Sequence, residues 1–339
     1  MIGISDAMLQ KKNMTESRTI LVTGGSGFIG TSVCKLLVDA GHNVINIDRK
    51  KKEIEGVTQY PFDLDNHQVR GIIKLIRPDS IIHLAADHEV GRSMIDPAVY
   101  YANNVANTIA LLNNAVEAGV KEFIYSSSSS VYGNTNNLPT PESEPCSPES
   151  PYARSKLMVE QILEDYSKSY DFKYISLRYF NAAGAMPDLS HGYNQEPASH
   201  LIPILCRTAI DGDKFIVNGN NYNTSDGTAH RDYTHVYDIA TAHLAALNYM
   251  RDNPNSEVFN IGCGESHSIL DVMNAVIEKH TKAIEYDVGP ARPGDIAATN
   301  ADTTKAKELL GWEPQFTLKD IVSHAYEWQK THTRKKSSA

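Results

Sequence analysis

Motifs that would indicate a metal site or a disulfide framework are missing from this sequence. Only four cysteines occur among its 339 residues, and no two of them form a Cys-x-x-Cys pair. Such scattered thiols favour neither a zinc site nor a set of disulfides, and they are typical of a reducing compartment. The 13 histidines include no His-Glu-x-x-His motif, so a zinc protease site has no support either. We therefore expect no metal and a cytoplasmic protein.

Long apolar runs and an excess of positive charge are missing as well. No apolar run approaches the roughly 18 residues that indicate a membrane-spanning helix. The polar stretch through Arg18 has no apolar segment of the kind found in signal peptides. The formal net charge is -9, whereas a nucleic-acid-binding surface is basic. These absences predict a globular protein that binds neither membranes nor nucleic acid, with flexible ends at residues 1–18 and 333–339.

A glycine-rich turn is present between two predicted strands near the start of the chain. Residues 19–22 are apolar, glycines follow at positions 24, 27 and 30 where a helical pattern begins, and a second strand ends at Asp48. Glycines in this pattern let the backbone approach a pyrophosphate, whose charge the helix N-terminus attracts. Asp48 lies where an acid commonly binds the adenosine ribose. The stretch predicts dinucleotide binding. Asp48 favours NAD, and the following Arg49 and Lys50 keep NADP open.

Tyr152 and Lys156 are four residues apart, which puts them on the same face of a helix. A free phenol has a pKa of about 10, and a neighbouring ammonium lowers it by attracting the phenolate. One lysine is not expected to bring that pKa to about 7, a shift of roughly three units. A second positive charge, such as an oxidised nicotinamide, makes the shift plausible. On its own, such a pair is more often an ordinary surface contact.

Alternating strand and helix patterns predict an α/β fold with a Rossmann-type doubly wound parallel sheet. One predicted strand ends at Ala85 and Ala86, and another leads into the serine run 126–130. Because ligands bind beyond the carboxyl ends of the strands in such sheets, the glycine turn, the two alanines and the serines are expected to meet. His83, just before the alanines, fits a core histidine better than a ligand.

The alternation breaks beyond Asn181, and 339 residues is near the size at which single cores divide. We therefore expect a smaller mixed α/β lobe toward the C-terminus. The predicted nucleotide-binding domain covers residues 19–180 and about 233–262. The second domain covers residues 181–232 and 263–332.

In combination, these motifs resemble those of the extended short-chain dehydrogenase/reductase superfamily and, within it, the UDP-glucose 4-epimerases. The general signatures are the glycine turn and Tyr152-x-x-x-Lys156. More specific likenesses occur at residues 126–133 (SSSSSVYG), 177–181 (LRYFN), 226–236 (DGTAHRDYTHV) and 292–295 (RPGD). The likeness covers about residues 19–330. It implies an isomerase that uses NAD, takes a UDP-sugar into the second domain and forms a homodimer through helices near residues 103–118 and 158–166.

The resemblance also implies roles for individual residues. Tyr152 would be the acid/base, Lys156 its partner on the nicotinamide ribose, and Ser128 the catalytic hydroxyl near the sugar. The sugar would be oxidised at C4, turn over as a 4-keto form and be reduced from its other face. The residues implied to line the NAD site are Gly24, Gly27, Phe28, Ile29, Gly30, Asp48, Asp63, Leu64, Leu84, Ala85, Ala86, Asn103, Ser126, Tyr152, Lys156 and Phe180. Those implied to hold the UDP-sugar are Ser128, Tyr152, Asn181, His200, Leu201, Ile216, Asn218, Arg231, Arg292, Asp295 and Thr299.

Several positions depart from the family pattern. His88 stands where many epimerases have a lysine, Asn218 where an aromatic residue is common, and His200 where asparagine also occurs. At Thr299 many relatives have a bulky tyrosine that crowds the sugar 2-substituent. The smaller threonine predicts that UDP-N-acetylglucosamine is accepted too, the alternative being that it has no effect on substrate choice.

Three other functions stay open. A 4-epimerase of UDP-pentoses would share all of these motifs. A sugar-nucleotide 4,6-dehydratase normally has an acid pair beside the catalytic hydroxyl, where this chain has Ser129 and Ser130. A non-catalytic NAD sensor would not require Ser128, Tyr152 and Lys156 together.

Overall fold

The computed structural model describes residues 17–292 and 296–333. Most of the ends expected to be flexible, residues 1–18 and 333–339, therefore lies outside the described residues, as does Asp295. Within the described ranges, no helix is long and apolar enough to cross a membrane. No group of three or more His, Cys, Asp or Glu side chains in those ranges is arranged to hold a metal ion.

The strands divide into one large sheet and three small ones. In chain order they are β1 (Thr19–Thr23), β2 (Asn43–Ile47), β3 (Val57–Tyr60), β4 (Ser80–His83), β5 (Glu122–Ser128), β6 (Lys173–Tyr179), β7 (Asn181–Ala183), β8 (Phe215–Asn218), β9 (His230–Arg231), β10 (Tyr233–His235), β11 (Glu257–Ile261), β12 (His267–Ser268) and β13 (Tyr286–Gly289). The large sheet is parallel throughout and runs β3-β2-β1-β4-β5-β6-β11. Because the strand order reverses beside β1, the sheet is doubly wound, as predicted.

Helices cover both faces of the large sheet. In chain order, the helices of the described residues are α1 (Phe28–Asp39), α2 (Gln68–Ile76), α3 (Val90–Ile95), α4 (Pro97–Tyr100), α5 (Asn107–Ala118), α6 (Pro151–Ser169), α7 (Leu201–Asp211), α8 (Val236–Asp252), α9 (Ile269–His280) and α10 (Leu318–Thr333). One apolar cluster joins α1 and α8 to the sheet, and a second joins α2, α5 and α6 to its other face. Burial on both faces explains why β1 is apolar without alternation.

The long helix predicted through Asn103 and Asn104 contains a wider turn. Residues 101–106 form a π-helical turn between α4 and α5. Asn104 is buried in this turn, where its amide nitrogen donates to the Asp87 carbonyl and to Ser155 Oγ, both at 3.0 Å. The helical backbone nevertheless runs without a gap from Pro97 to Ala118, so the prediction of a long helix that carries Asn103 and Asn104 is confirmed, with a wider turn at this point. π-Bulges of this kind are frequent at functional sites.

A separate apolar cluster lies in the C-terminal part of the chain. It joins α7, α9 and α10 through residues such as Leu205, Val272 and Ile321, which are almost fully buried. The pairs β7–β10, β9–β12 and β8–β13 form the three small sheets beside it. This arrangement agrees with the mixed α/β character expected of the region.

Candidate active site

The glycine turn between β1 and α1 fits tightly at two of its three glycines. A Cβ atom on Gly24 would lie 2.6 Å from the backbone nitrogen of Ala85, and one on Gly30 would lie 2.2 Å from the carbonyl oxygen of Gly24. By contrast, a Cβ atom on Gly27 would come near only that same carbonyl, at 3.2 Å. The first and third glycines therefore let the turn close on itself and on the end of β4, while Gly27 is exposed and its Cβ would meet a single backbone atom.

Asp48 at the end of β2 is bonded to this turn. Its Oδ2 accepts from the backbone N–H of Ser26 at 3.0 Å, and its Oδ1 from that of Lys50 at 2.8 Å. Asn46 Oδ1 also accepts from the N–H of Gly25 at 2.8 Å, a contact that the sequence interpretation missed. The carboxylate is thus placed beside the N-terminus of α1.

A contact from the C-terminal part of the chain reaches the first turn of α1. Lys52 Nζ donates to Thr31 Oγ1 at 3.0 Å and lies 3.1 Å from His191 Nδ1. Because an ammonium can only donate, Nδ1 accepts, and the Nε2–H of His191 then donates to the Phe28 carbonyl at 3.1 Å. The Phe28 ring packs edge-on against Tyr193 with centroids 5.6 Å apart. Sequence reasoning missed Lys52, His191 and Tyr193.

Ser126, Ser128, Tyr152 and Lys156 meet where α6 crosses the end of β5. Lys156 Nζ donates to the Ser126 carbonyl at 2.6 Å and lies 5.9 Å from the centre of the Tyr152 ring. Ser128 Oγ accepts from the N–H and hydroxyl of Ser130, at 3.2 and 2.9 Å, and is hydrogen-bonded with Tyr152. The structure thus brings the hydroxyls of Ser128 and Tyr152 together with the amine of Lys156.

Burial works against ionisation in this cluster. It raises the pKa of Tyr152, and the hydrogen bond with Ser128 acts in the opposite direction. Burial also lowers the pKa of Lys156 to about 7, an effect that the negative charge of Glu160 opposes. Both shifts favour the neutral forms, because a charged group loses solvation in a poorly hydrated site. The pair alone therefore does not yield a phenolate at neutral pH.

Residues after β4 form the next part of the site. Leu84, Ala85 and Ala86 are partly exposed just beyond the strand end. His83 is buried between Thr23 Oγ1 at 2.6 Å and Thr108 Oγ1 at 2.8 Å. Burial lowers its pKa to about 3, so the expectation of a core histidine is confirmed.

One hydrogen bond and a group of packed rings lie at the edge of this region. Asn103 Nδ2 donates to Asp87 Oδ2 at 2.5 Å, and Asp87 was not predicted. The rings of His88 and His200 stack with centroids 6.0 Å apart, and Tyr193 packs edge-on against His200 at 5.0 Å. Burial lowers the pKa of His200 to about 4, so this imidazole is neutral at pH 7.

Among the remaining residues predicted for the cofactor, Asp63 is exposed and Ile29 partly exposed, whereas Leu64 and Phe180 are buried. Leu64 and Phe180 are 9% and 7% exposed and pack into apolar clusters, so each offers only an edge to a ligand. Asp63 precedes Leu64 and accepts its N–H at 2.8 Å. Ile29 packs from α1 against the sheet.

The residues predicted for the sugar nucleotide fall into two groups. Arg231 Nη1 and the N–H of Thr299 both donate to the His230 carbonyl, at 2.7 and 3.1 Å. Asn181 adjoins them, because its N–H donates to the Asp232 carbonyl at 2.9 Å. The second group lies at the β8–β13 pair. Ile216 and Asn218 are on β8, and exposed Arg292 follows just beyond β13. Leu201 and His200 lie at the start of α7, and Asp295 is outside the described residues.

Buried Asp232 ties the first group to the C-terminal segments. Its carboxylate accepts the backbone N–H groups of Cys263, Gly264 and Ala301 at 2.7, 3.0 and 3.1 Å. Burial raises its pKa, and these N–H groups act against that rise. The sequence showed this residue only as part of a motif, with no sign of its anchoring contacts.

Comparisons with known proteins agree with this geometry. The model of the NAD dependent epimerase/dehydratase family matches residues 20–262. A UDP-glucose 4-epimerase of Halalkalibacterium halodurans is 38% identical over 320 residues, which cover 92% of this chain and 96% of that protein. The UDP-glucose 4-epimerase structure from Stenotrophomonas maltophila, with bound NAD and formylated UDP-arabinopyranose, has a TM-score of 0.89 at 33% identity and covers 94% and 99% of the two chains. The structure from Bifidobacterium longum, in complex with NAD+ and UDP, has a TM-score of 0.88 at 35% identity and covers 93% and 99%.

Proposed function

Because the chain belongs to the NAD dependent epimerase/dehydratase family, we infer that it is an isomerase, a NAD-dependent 4-epimerase that interconverts UDP-glucose and UDP-galactose. The observation that carries this function is the cluster of Ser128, Tyr152 and Lys156 at the end of β5, on the same sheet edge as the glycine turn. Relatives at 36–38% identity over more than nine-tenths of the chain are named UDP-glucose 4-epimerases.

The residues present fit a dinucleotide. Exposed Gly27 has no side chain to cover the N-terminus of α1, and Asp48 lies beside it as an acceptor for ribose hydroxyls. We assign the pyrophosphate to the glycine turn, and the nicotinamide side to Ala85, Ala86, Asn103, Ser126, Lys156 and Phe180. When bound, NAD would supply the nicotinamide ring, which can accept a hydride from the sugar C4 and return it to the opposite face of the sugar.

The protein side chains handle the proton of the sugar 4-hydroxyl. Tyr152 Oη takes this proton as the sugar is oxidised and gives it back as the sugar is reduced. Ser128 orients the hydroxyl, and the bond from Lys156 to the Ser126 carbonyl fixes the ammonium below Tyr152. Because burial raises the pKa of Tyr152, the phenolate requires positive charge from Lys156 and from the bound cofactor.

We assign the sugar nucleotide to the C-terminal domain, residues 181–232 and 263–332, opposite the NAD-binding domain. Arg231 and Arg292 suit the diphosphate, because a guanidinium presents a planar fork of donors. Asn181, His200, Leu201, Ile216, Asn218 and Asp295 would hold the rest of the nucleotide and sugar.

A panel of UDP-sugars assayed for 4-epimers without added NAD tests this function. We expect interconversion of UDP-glucose and UDP-galactose, because NAD is regenerated in each cycle and stays bound. Turnover of pentoses alone would favour the UDP-pentose epimerase. A 4-keto-6-deoxy product would indicate a dehydratase, and bound NAD without turnover would indicate a sensor.

The same panel tests the role of Thr299. We expect turnover of UDP-N-acetylglucosamine, because threonine leaves space beside the sugar 2-substituent. The Thr299→Tyr variant should lower this turnover by at least about tenfold while UDP-glucose is affected little. Thr304→Tyr, at an exposed position, is the matched control. No turnover of the acetylated sugar by the unmodified protein would contradict the proposal.

Asp48 is expected to set the preference for NAD over NADP. Its carboxylate repels a 2′-phosphate, so Asp48→Ala should reduce the ratio of the two affinities by about tenfold. Since each Asp48 oxygen also accepts a backbone N–H, Asp48→Asn is the better-matched variant: it removes the charge and keeps one of the two acceptor oxygens. Titrating cofactor-free protein with each dinucleotide measures the ratio. An unchanged preference in both variants would count against the assignment.

We further propose a cytoplasmic homodimer. α3 packs beside α6 and exposes Met94 and Ile95, which are 63% and 86% accessible, next to Met158 on α6 at 40%. These side chains extend the surface predicted from helices 103–118 and 158–166, and apolar patches of this kind mark interaction sites. Light scattering of the purified protein should give twice the mass of the chain, and a monomeric mass would exclude the dimer.

A further inference from the structure

A buried ion pair lies below the proposed catalytic residues, and the chemistry described above does not use it. Arg178 on β6 donates two hydrogen bonds to Glu160 on α6, at 3.0 Å from Nε and 2.6 Å from Nη2. Both residues are only 6% exposed. A buried ion pair is often no more stabilising than apolar residues of similar size. Stability alone therefore does not explain why an ion pair is buried at this position.

The pair is aligned with the catalytic residues on the same helix. Tyr152, Lys156 and Glu160 are spaced by four residues and lie on one face of α6. Lys156 bonds the Ser126 carbonyl on β5, and Glu160 accepts from the hydroxyl of the next residue, Ser127, at 2.5 Å. Glu160 thus occupies the turn after Lys156 and contacts the same strand.

Neighbouring side chains hold the pair in place. Arg178 stands opposite Ser127 in the register of β5 and β6, and its guanidinium lies 4.8 Å from the centre of the Tyr132 ring. The Tyr132 hydroxyl donates to Asn260 Oδ1 on β11 at 2.7 Å. The pair is therefore held by Ser127 on β5 and by the Tyr132 ring, which Asn260 on β11 positions in turn.

The charged and titratable groups around Lys156 come from several elements. They are Tyr152 and Glu160 on α6, Tyr125 on β5, Arg178 and Tyr179 on β6, His83 on β4 and His88 beyond β4. Burial lowers the pKa of Lys156 to about 7, and Glu160 raises it. Small changes in the local charge therefore decide whether this amine is protonated near neutral pH.

We propose that Glu160 and Arg178 are positioning residues whose opposed charges set the protonation of Lys156 and so keep an ammonium beside Tyr152. The inference rests on the proposed function, because that function gives Lys156 its role. It assigns Glu160 and Arg178 no contact with substrate or cofactor.

Substitutions that remove each charge separately test the inference. Glu160→Gln leaves Arg178 unpaired and should lower the Lys156 pKa by about one unit, whereas Arg178→Gln leaves the carboxylate unpaired and should raise it by about one unit. In the double variant, the pKa of Lys156 should lie between its values in wild type and in Glu160→Gln. Ser127→Ala removes a hydrogen bond to Glu160 but neither charge, so it is the control that should leave the titration unmoved. The measurement is the ¹³Cε NMR shift of Lys156 against pH, assigned with Lys156→Met.

The pH dependence of turnover provides a second test of the inference. Since the ammonium is lost as pH rises, the basic limb should move to lower pH in Glu160→Gln and to higher pH in Arg178→Gln. Loss of thermal stability in both variants without opposed titration shifts would overturn the inference. If a single variant does not fold, the double variant serves instead, because it leaves no unpaired charge. A Lys156 pKa in the double variant at or above the wild-type value would then overturn the inference. An inactive wild-type protein would instead overturn the proposed function, and the NMR titration would still decide the charge effect.

Discussion

Tyr152→Phe lowers epimerase turnover by about a thousandfold and leaves NAD bound, if the phenol acts as the acid/base. The substitution removes one oxygen, and loss of a general acid–base group typically lowers the rate by a factor of about 10² to 10⁴. The ring keeps its edge-on contact with Tyr100 at 6.4 Å. NAD is assigned mainly to the glycine turn, Asp48 and Lys156, which the substitution does not touch. Turnover is measured with UDP-galactose, and bound NAD by its release on denaturation.

Tyr100→Phe is the matched control for this experiment. Tyr100 lies beside Tyr152, but its hydroxyl donates to the Glu89 carbonyl at 2.6 Å, away from the reacting groups. Its loss should lower the free energy of unfolding by about 1 kcal/mol and change turnover only a few-fold. Near-normal turnover in Tyr152→Phe, or an equal loss in both variants, would contradict the role given to Tyr152.

Gly27→Ala and Gly30→Ala are expected to fail in different ways. A methyl group on Gly30 would meet the Gly24 carbonyl at 2.2 Å, so this variant should lose both cofactor and several degrees of melting temperature. A methyl group on Gly27 would lie 3.2 Å from the same carbonyl, which requires a shift of only a few tenths of an ångström, but it would occupy the surface assigned to the pyrophosphate. Gly27→Ala should therefore fold with a melting temperature close to that of cofactor-free wild type and lose most of its bound NAD, and with it turnover.

Gly71→Ala is the control for the glycine variants. Gly71 lies within α2, where a Cβ atom would meet nothing within 4 Å. Alanine is favoured over glycine in helices by about 1 kcal/mol, so this variant should keep NAD and gain slightly in stability. Normal NAD content in purified Gly27→Ala protein would show that the pyrophosphate does not lie on the glycine turn.

The parts of the fold that depend on local pattern could be predicted from the sequence. The apolar runs of β1 and β4, the glycine spacing and the position of Asp48 at a strand end each follow from neighbouring residues. The doubly wound order then follows because parallel strands joined by helices leave few arrangements. The rule on strand ends also predicted that the serine run lies at this edge of the sheet, whereas the place of Tyr152 and Lys156 beside Ser128 was implied by the family resemblance.

Contacts between residues far apart in the chain could not be predicted in this way. Lys52 and His191 are separated by 139 positions, and Asn260 and Tyr132 by 128. Neither pair belongs to a repeating pattern, so their partners become visible only when the chain is folded. The same reason applies to the pKa of Tyr152, which depends on burial by several elements rather than on the lysine one turn away.

The position of β11 at the end of the large sheet has a consequence for biosynthesis. β6 ends at Tyr179, but its outer neighbour begins at Glu257, so residues 180–256 must be made before the two can pair. At about 5–20 residues per second, the ribosome needs roughly 4 to 15 s for this stretch. During that time the strand that carries Arg178 is an open edge, and an open edge can pair with another nascent chain. Protection by chaperones should therefore matter most while this interval is being translated.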